Sequence, residues 1–234
     1  MDVWAGTSGY SYAAWKGSFY PEDLSNADML SYYATRLPAV EINNTFYRMP
    51  NERVLEGWAE SVPDGFRFAL KASRRITHFK RLKDVEEETE YFVRTASALA
   101  DRAGVILYQL PPNFARDDDR LSAFLDQLPN PGRSAFEFRH ASWFDDGVYS
   151  LLSARGAALC IAETDEGGHD PPPVRTADWT YLRLRQAEYD EDALAAWAER
   201  LASGGWESAY VFFKHEDAGV GPRLASRFLE LVKG

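Results

Sequence analysis

Val40 to Pro50 reads VEINNTFYRMP. Its first half alternates as a strand does, with apolar Val40 and Ile42 on one side and polar Glu41 and Asn43 on the other. Asn43, Asn44 and Thr45 are poor strand-interior material, so the chain leaves a sheet here and carries polar groups out on a loop. Other segments end the same way, in an apolar run that finishes in charge.

Outward from this stretch, strands are expected at Asp2–Ser8, Phe66–Ser73, Gly104–Leu110, Ser134–Arg139, Ala157–Thr164, Thr180–Arg185 and Ser208–Lys214. Helical stripes lie between them. Asn26 is placed to cap a helix bearing Leu30, Tyr33, Ala34 and Leu37, and Asn51 one bearing Val54, Leu55, Trp58 and Val62. A long helix is expected over Val85–Arg102, with Glu86, Glu87 and Glu88 at its positive end. Further stripes fall at Leu121, Phe124, Leu125 and Leu128; at Val148, Leu151 and Leu152; at Leu194, Trp197, Ala198 and Leu201; and at Leu224, Phe228, Leu231 and Val232. After the sixth strand, DEGGHDPPPVRTADW has too much glycine and proline for a full helix and predicts an irregular crossover. Strands alternating with helices, without a linker or composition break, predict a single (β/α)₈ TIM barrel over residues 1–234. A doubly wound open sheet is the competitor. Neither G-x-G-x-x-G after the first strand nor G-x-x-x-x-G-K-[ST] occurs, which weighs against its nucleotide-binding versions.

The 234 residues are 45% hydrophobic and 26% charged, as in an ordinary globular protein. The start, MDVWAGTSGY, lacks the features of a signal peptide, and Cys160 is the only cysteine. These point to a reducing compartment, the cytoplasm, with no membrane association; Cys160 is expected in the core. The net charge of −10 disfavours a non-specific nucleic-acid binder. Its distribution is uneven: Lys71–Lys83, KASRRITHFKRLK, carries Lys71, Arg74, Arg75, Lys80, Arg81 and Lys83 and no acid.

Side-chain alternation sorts each strand into a helix-facing and a barrel-facing set. If the apolar set packs on helices, then Glu41, Asn43, Lys71, Gln109, Glu137, Arg139 and Arg183 face the barrel interior near C-terminal strand ends, where barrel enzymes place their active sites. Buried charges must pair with each other or with a ligand. Glu41 is expected to pair with an inward cation on the neighbouring strand, Lys71.

The blocks GTSGYSYAAWKGSFYP, VEINNTFYRMP, KASRRITHFKRL, YQLPPNF and FEFRHASWF together resemble the YecE-like family, known as domain of unknown function 72. The resemblance implies a TIM barrel and brings no activity with it. The positions typical of the family are Trp15, Tyr20, Glu41, Asn43, Thr45, Phe46, Tyr47, Lys71, His78, Arg81, Gln109, Pro111, Glu137, Arg139, His140 and Trp143. Two regions depart from its pattern: Arg185-Gln186 stands where His-Gly is expected, and Lys214-His215-Glu216 where Asn-Asn-Asp is expected.

Glu41 and Glu137 offer the two carboxylates of a glycosidase, but barrel glycosidases generally take theirs from strands four and seven, which here give Gln109 and Arg183. His78, His140, His169 and His215 show no zinc-ligand spacing, leaving at most a single magnesium on Glu41 or Glu137 with substrate oxygens. An anion site remains. Lys71, Arg139 and Arg183 would hold a phosphate or carboxylate, with Glu41, Lys71 and Glu137 as catalytic candidates. Asn43, Thr45, Tyr47, His78, Arg81, Gln109, His140 and Trp143 complete the expected substrate-binding set. Lys71 could alternatively form a Schiff base. The reading is an enzyme doing acid–base or hydrolytic chemistry on a small phosphorylated substrate. Its alternatives are a nucleic-acid-binding or -processing barrel that uses the 71–83 loop, and a non-catalytic ligand-binding barrel.

Overall fold

The computed structural model describes residues 1–163, 171–186, 188–214 and 218–233. Eight parallel strands close into a barrel in sequence order: β1 Asp2–Ser8, β2 Ala39–Ile42, β3 Arg67–Lys71, β4 Ala103–Gln109, β5 Ser134–Glu137, β6 Ala158–Ala162, β7 Trp179–Leu184 and β8 Ser208–Phe213. Seven helices cover it: α1 Met29–Ala34, α2 Glu52–Glu60, α3 Glu86–Ala96, α4 Asp118–Gln127, α5 Asp146–Ser153, α6 Glu191–Ser203 and α7 Val220–Lys233. This is the (β/α)₈ TIM barrel expected from the strand–helix alternation. Between β6 and β7 the described residues 171–178 form no helix, and Thr164 to Asp170, with His169, lie outside the described residues.

Two helix boundaries differ from expectation. Ser25, not Asn26, supplies the first cap, its Oγ accepting from the Asp28 N–H at 3.3 Å, while Asn26 opens a 3₁₀ turn ahead of α1. Asn51 caps α2 as expected, with its side chain accepting from the Val54 N–H at 3.0 Å. The helix expected to run to Arg102 stops at Ala96. The chain continues as 3₁₀ turns over Ser97–Arg102 and breaks at Ala100, φ 49° and ψ −129°, because it must reverse at once to enter β4. Among the described residues no helix is long and apolar enough to cross a membrane.

Parity works as the alternation requires. Val40, Ile42, Phe68, Leu70, Tyr108, Phe136, Leu182 and Leu184 belong to the core between sheet and helices. The barrel interior is a separate cluster in which small and large residues complement each other. Ala39, Ala69, Ala135 and Ala158 come from β2, β3, β5 and β6, against the rings of Trp4, Trp179, Tyr181, Tyr210 and Phe212 from β1, β7 and β8. Trp4 stacks on Tyr210 at 5.0 Å and Tyr181 lies 5.3 Å from Phe212, so the lower barrel is filled. Cys160 sits in this cluster, and burial pushes its thiol pKa up. Gly6 is needed where β1 meets β2: a Cβ there would collide with the Ala39 carbonyl oxygen. With the lower interior packed, the inward charges stand at the last inward positions of β2, β3, β5 and β7: Glu41, Lys71, Glu137 and Arg183.

Candidate active site

Three of these charges, Glu41, Glu137 and Arg183, anchor one network. Glu41, at the end of β2, is fully buried. Its Oε1 accepts from Ser8 Oγ at 2.7 Å, Asn43 Nδ2 at 3.1 Å and Arg183 Nη2 at 2.7 Å, and its Oε2 from Tyr181 Oη at 2.7 Å. Glu137, at the end of β5, is 1% exposed. Its Oε1 accepts from Gln109 Nε2 at 2.8 Å and Arg139 Nε at 3.0 Å, and its Oε2 from Arg183 Nη1 at 2.7 Å. Arg183 therefore bridges both carboxylates from β7. Burial alone would raise the pKa of Glu41, but the charge of Arg183 and the hydrogen bonds from Arg183, Tyr181 and Ser8 outweigh it and hold it below the ordinary value. For Glu137, burial is likewise outweighed by Arg183, then Arg139, Gln109 and Lys71. Both stay ionised, with each carboxylate oxygen accepting at least one hydrogen bond.

This corrects the expected Glu41–Lys71 pair. Lys71 is adjacent in strand order, but Glu41 is taken by the Arg183 guanidinium, which gives Nη2 to Glu41 and Nη1 to Glu137. Lys71 makes no ion pair with its ammonium among the described residues. Its Nζ lies 4.3 Å from the centroid of the Phe46 ring. Burial, then the charge of Arg183, lower its pKa to about 8 against the opposing pull of Glu41 and Glu137. Beside it, the His78 ring meets Phe46 edge-on at 4.8 Å, with Nδ1 2.9 Å from Thr77 Oγ1. Burial, then the charges of Lys71 and Arg139, lower the pKa of His78 to about 4, so its imidazole is neutral near neutral pH.

The other expected residues divide. Gln109, Asn43 and Arg139 join the network, and Arg139 keeps 37% of its side chain exposed. Arg81 lies at the rim, its guanidinium 5.9 Å from the Phe114 ring. Tyr47 is on the surface at 66% exposure. His140 caps a 3₁₀ turn, with Nδ1 2.8 Å from Ser142 Oγ. Thr45 and Trp143 are buried in the packing around the site. The Thr45 hydroxyl is buried and contacts the Ile42 and Lys71 carbonyls at 3.0 and 2.7 Å, fixing the backbone that carries Lys71. Trp143 is fully buried, stacked on Phe138 at 4.8 Å with its Nε1 donating to the Phe114 carbonyl, so neither of its faces is open to a ligand. Trp15 is fully buried in the same way.

The basic 71–83 run is not one surface. Lys71 turns inward, while Arg75 and Lys80 are bound to Glu88 of α3 at 2.7 and 2.9 Å. The magnesium expectation does not fit the residues. Both carboxylates already face guanidinium, amide and hydroxyl donors, and the described residues hold no cluster of three metal-ligating side chains.

Ser8, Tyr181, Glu163 and Arg185 join these residues without having been part of the expected set. Ser8 and Tyr181 sit at inward positions of β1 and β7, so parity was the available signal. Glu163 follows β6 and, 5% exposed, accepts from the Arg185 N–H and Gln186 Nε2, both at 3.0 Å. The Arg185-Gln186 departure is thereby tied into the end of β7. Arg185 Nη2 lies 3.8 Å from Glu137, and the Nε groups of Arg183 and Arg185 are buried without an acceptor among the described residues. Of the divergent β8 ending, His215 and Glu216 lie outside the described residues.

A sequence model of the family described as "Protein of unknown function DUF72" matches residues 4–234. The chain is 35% identical over 128 residues to UPF0759 protein YecE of Escherichia coli K12, a match covering 54% of this chain and 47% of YecE. It is 24% identical over 173 residues to UPF0759 protein YunF of Bacillus subtilis, covering 67% and 60% of the two chains. The matched stretch thus spans about half the length of YecE. The structure resembles a DUF72 family protein from Thermotoga maritima with a TM-score of 0.87, at 27% identity and over 100% of both chains. A DUF72 family protein from Enterococcus faecalis shares the fold with a TM-score of 0.80, at 17% identity over 99% and 96% of the chains. With its barrel, its inward network and this match over nearly its whole length, the chain belongs to the DUF72 family.

Proposed function

We propose that the barrel mouth binds a small anionic, phosphorylated substrate and performs acid–base chemistry on it, with Lys71 moving the proton. The observation that supports this reading most is the Lys71 ammonium at an inward strand end, without an ion pair among the described residues, where both nearby carboxylates are claimed by arginines. Among the described residues, four cations (Lys71, Arg139, Arg183 and Arg185) gather around Glu41 and Glu137 at these strand ends, and an anion would add counter-charge. A lysine with a pKa near 8 exchanges a proton readily around neutral pH. Glu41 and Glu137 then serve as the frame that holds Arg183 and Arg139, rather than as acid and base.

A nucleic-acid polymer is the weaker reading, because Glu88 occupies Arg75 and Lys80 and the chain carries a net charge of −10. The test is a turnover screen over phosphomonoesters and phosphorylated keto compounds, run on the wild-type chain and on K71R and K71M. The expected result is that K71R retains anion binding but loses turnover, and K71M loses both. Undiminished turnover in K71M, or no anion binding by the wild type, would overturn the reading.

A further inference from the structure

The rim beside Lys71 exposes rings that folded chains usually cover. Among the described residues the exposed large hydrophobic side chains are Met1, Tyr47, Val54, Phe79 and Tyr91. Tyr47 and Phe79, 66% and 69% exposed, share one cation: the Arg74 guanidinium lies 5.4 Å from the first ring centroid and 5.2 Å from the second. Tyr47 follows β2 and Phe79 follows β3, so this contact is made by the fold. The same wall continues inward. Tyr47 meets Phe46 edge-on at 5.0 Å, and Phe46 lies 4.3 Å from Lys71 Nζ. A path of aromatic rings and cations therefore runs from solvent to Lys71, which has no ion pair among the described residues.

We infer that the substrate is a nucleoside phosphate, with its phosphate at Lys71 and Arg139 and its base against the Tyr47–Arg74–Phe79 rim. This rests on the anion-site reading above and specifies its substrate class. Aromatic rings and a guanidinium plane are the surfaces on which any nucleobase stacks, whereas a small aliphatic phosphate would leave the rim unused. The loop after Phe79 is fixed rather than free. Arg81, Leu82 and Asp84 hold φ of 49°, 66° and 50°, and the buried Leu82 donates its N–H to the Ile76 carbonyl at 2.9 Å. A free nucleotide fits better than a strand, since a polymer would need the cations that Glu88 already holds.

Calorimetric titration of the full chain with AMP, UMP, ribose 5-phosphate and a single-stranded oligonucleotide tests the inference. The nucleotides are expected to bind at least about tenfold tighter than ribose 5-phosphate. A Y47A/F79A double variant, which alters only exposed side chains, should bring the nucleotides down to the sugar phosphate without changing the latter. R74M, checked alongside by circular dichroism, should give the same loss in part. Equal binding of nucleotide and sugar phosphate, or a double variant that keeps the preference, overturns the inference while leaving the anion site standing. Oligonucleotide binding without nucleotide binding overturns it in favour of a polymer. If no phosphate compound binds, the anion-site reading falls and takes the inference with it.

Discussion

Arg183 and Lys71 occupy corresponding inward positions on β7 and β3, strands on opposite sides of one barrel, and their surroundings differ completely. Arg183 is 3% exposed and lies 2.7 Å from a carboxylate on either side. Those two charges outweigh the effect of burial and raise its pKa above the ordinary value. Lys71 has a partly open side chain and no carboxylate of its own, and its pKa falls to about 8. The difference separates architecture from chemistry. A buried charge with partners stabilises the barrel only as long as every partner remains; a charge left without them is available to a ligand or a proton.

The comparison breaks most severely at Arg183. R183M leaves Glu41 and Glu137 buried with their main counter-charge gone, and should cost roughly 3–5 kcal/mol in chemical denaturation. K71M, by contrast, removes a charge that burial disfavours and should not lower stability, while weakening sulfate or phosphate binding by about tenfold or more, read by titration. Equal destabilisation by both variants would erase the distinction.

The pH dependence sharpens it. Lys71 is charged below its pKa and neutral above it, so sulfate affinity should fall as pH rises through about 8. Sulfate keeps a constant charge across that range, and K71R should remove the step. Burial of Lys71 also predicts a stability effect of the opposite slope. Its native pKa lies below its unfolded value of 10.5, so the unfolded chain binds more protons between the two values and stability rises with pH there. For Glu41 and Glu137 the sign is the usual one for carboxylates: their contribution is present above 4.5 and is lost as pH falls through their depressed native values.

The smallest effects belong to residues now seen as supports. T45V removes the hydroxyl that contacts the Lys71 carbonyl and should cost about 1–2 kcal/mol of stability, with only a minor change in anion affinity. W143F should cost a similar amount through the Phe114 hydrogen bond and leave binding untouched. Weakened binding in W143F at full stability would restore Trp143 as a ligand platform.

Much of this was legible before any coordinates. The alternation in VEINNTFYRMP assigned Glu41 to the interior, and the same rule placed Lys71, Gln109, Glu137 and Arg183 there, because a strand has only two faces and its apolar one seeks the helices. Ser8 and Tyr181 obey that rule too, but a lone hydroxyl carries less signal than a charge. Trp143 differs: a tryptophan beside a strand end reads the same whether it packs or binds, and its burial against Phe114 and Phe138 is a tertiary fact.

By itself, then, the sequence determined the strand count, the inward parity and the set of charges gathered at one end of the barrel, all of which follow from local periodicity. Only the tertiary structure decided which charge answers which. Glu41 and Arg183 are separated by 142 positions along the chain yet stand 2.7 Å apart, since closure brings strand ends together across the axis and a guanidinium spans that gap where strand adjacency alone suggested Lys71. The lysine left over by that pairing is the group on which the proposed chemistry depends.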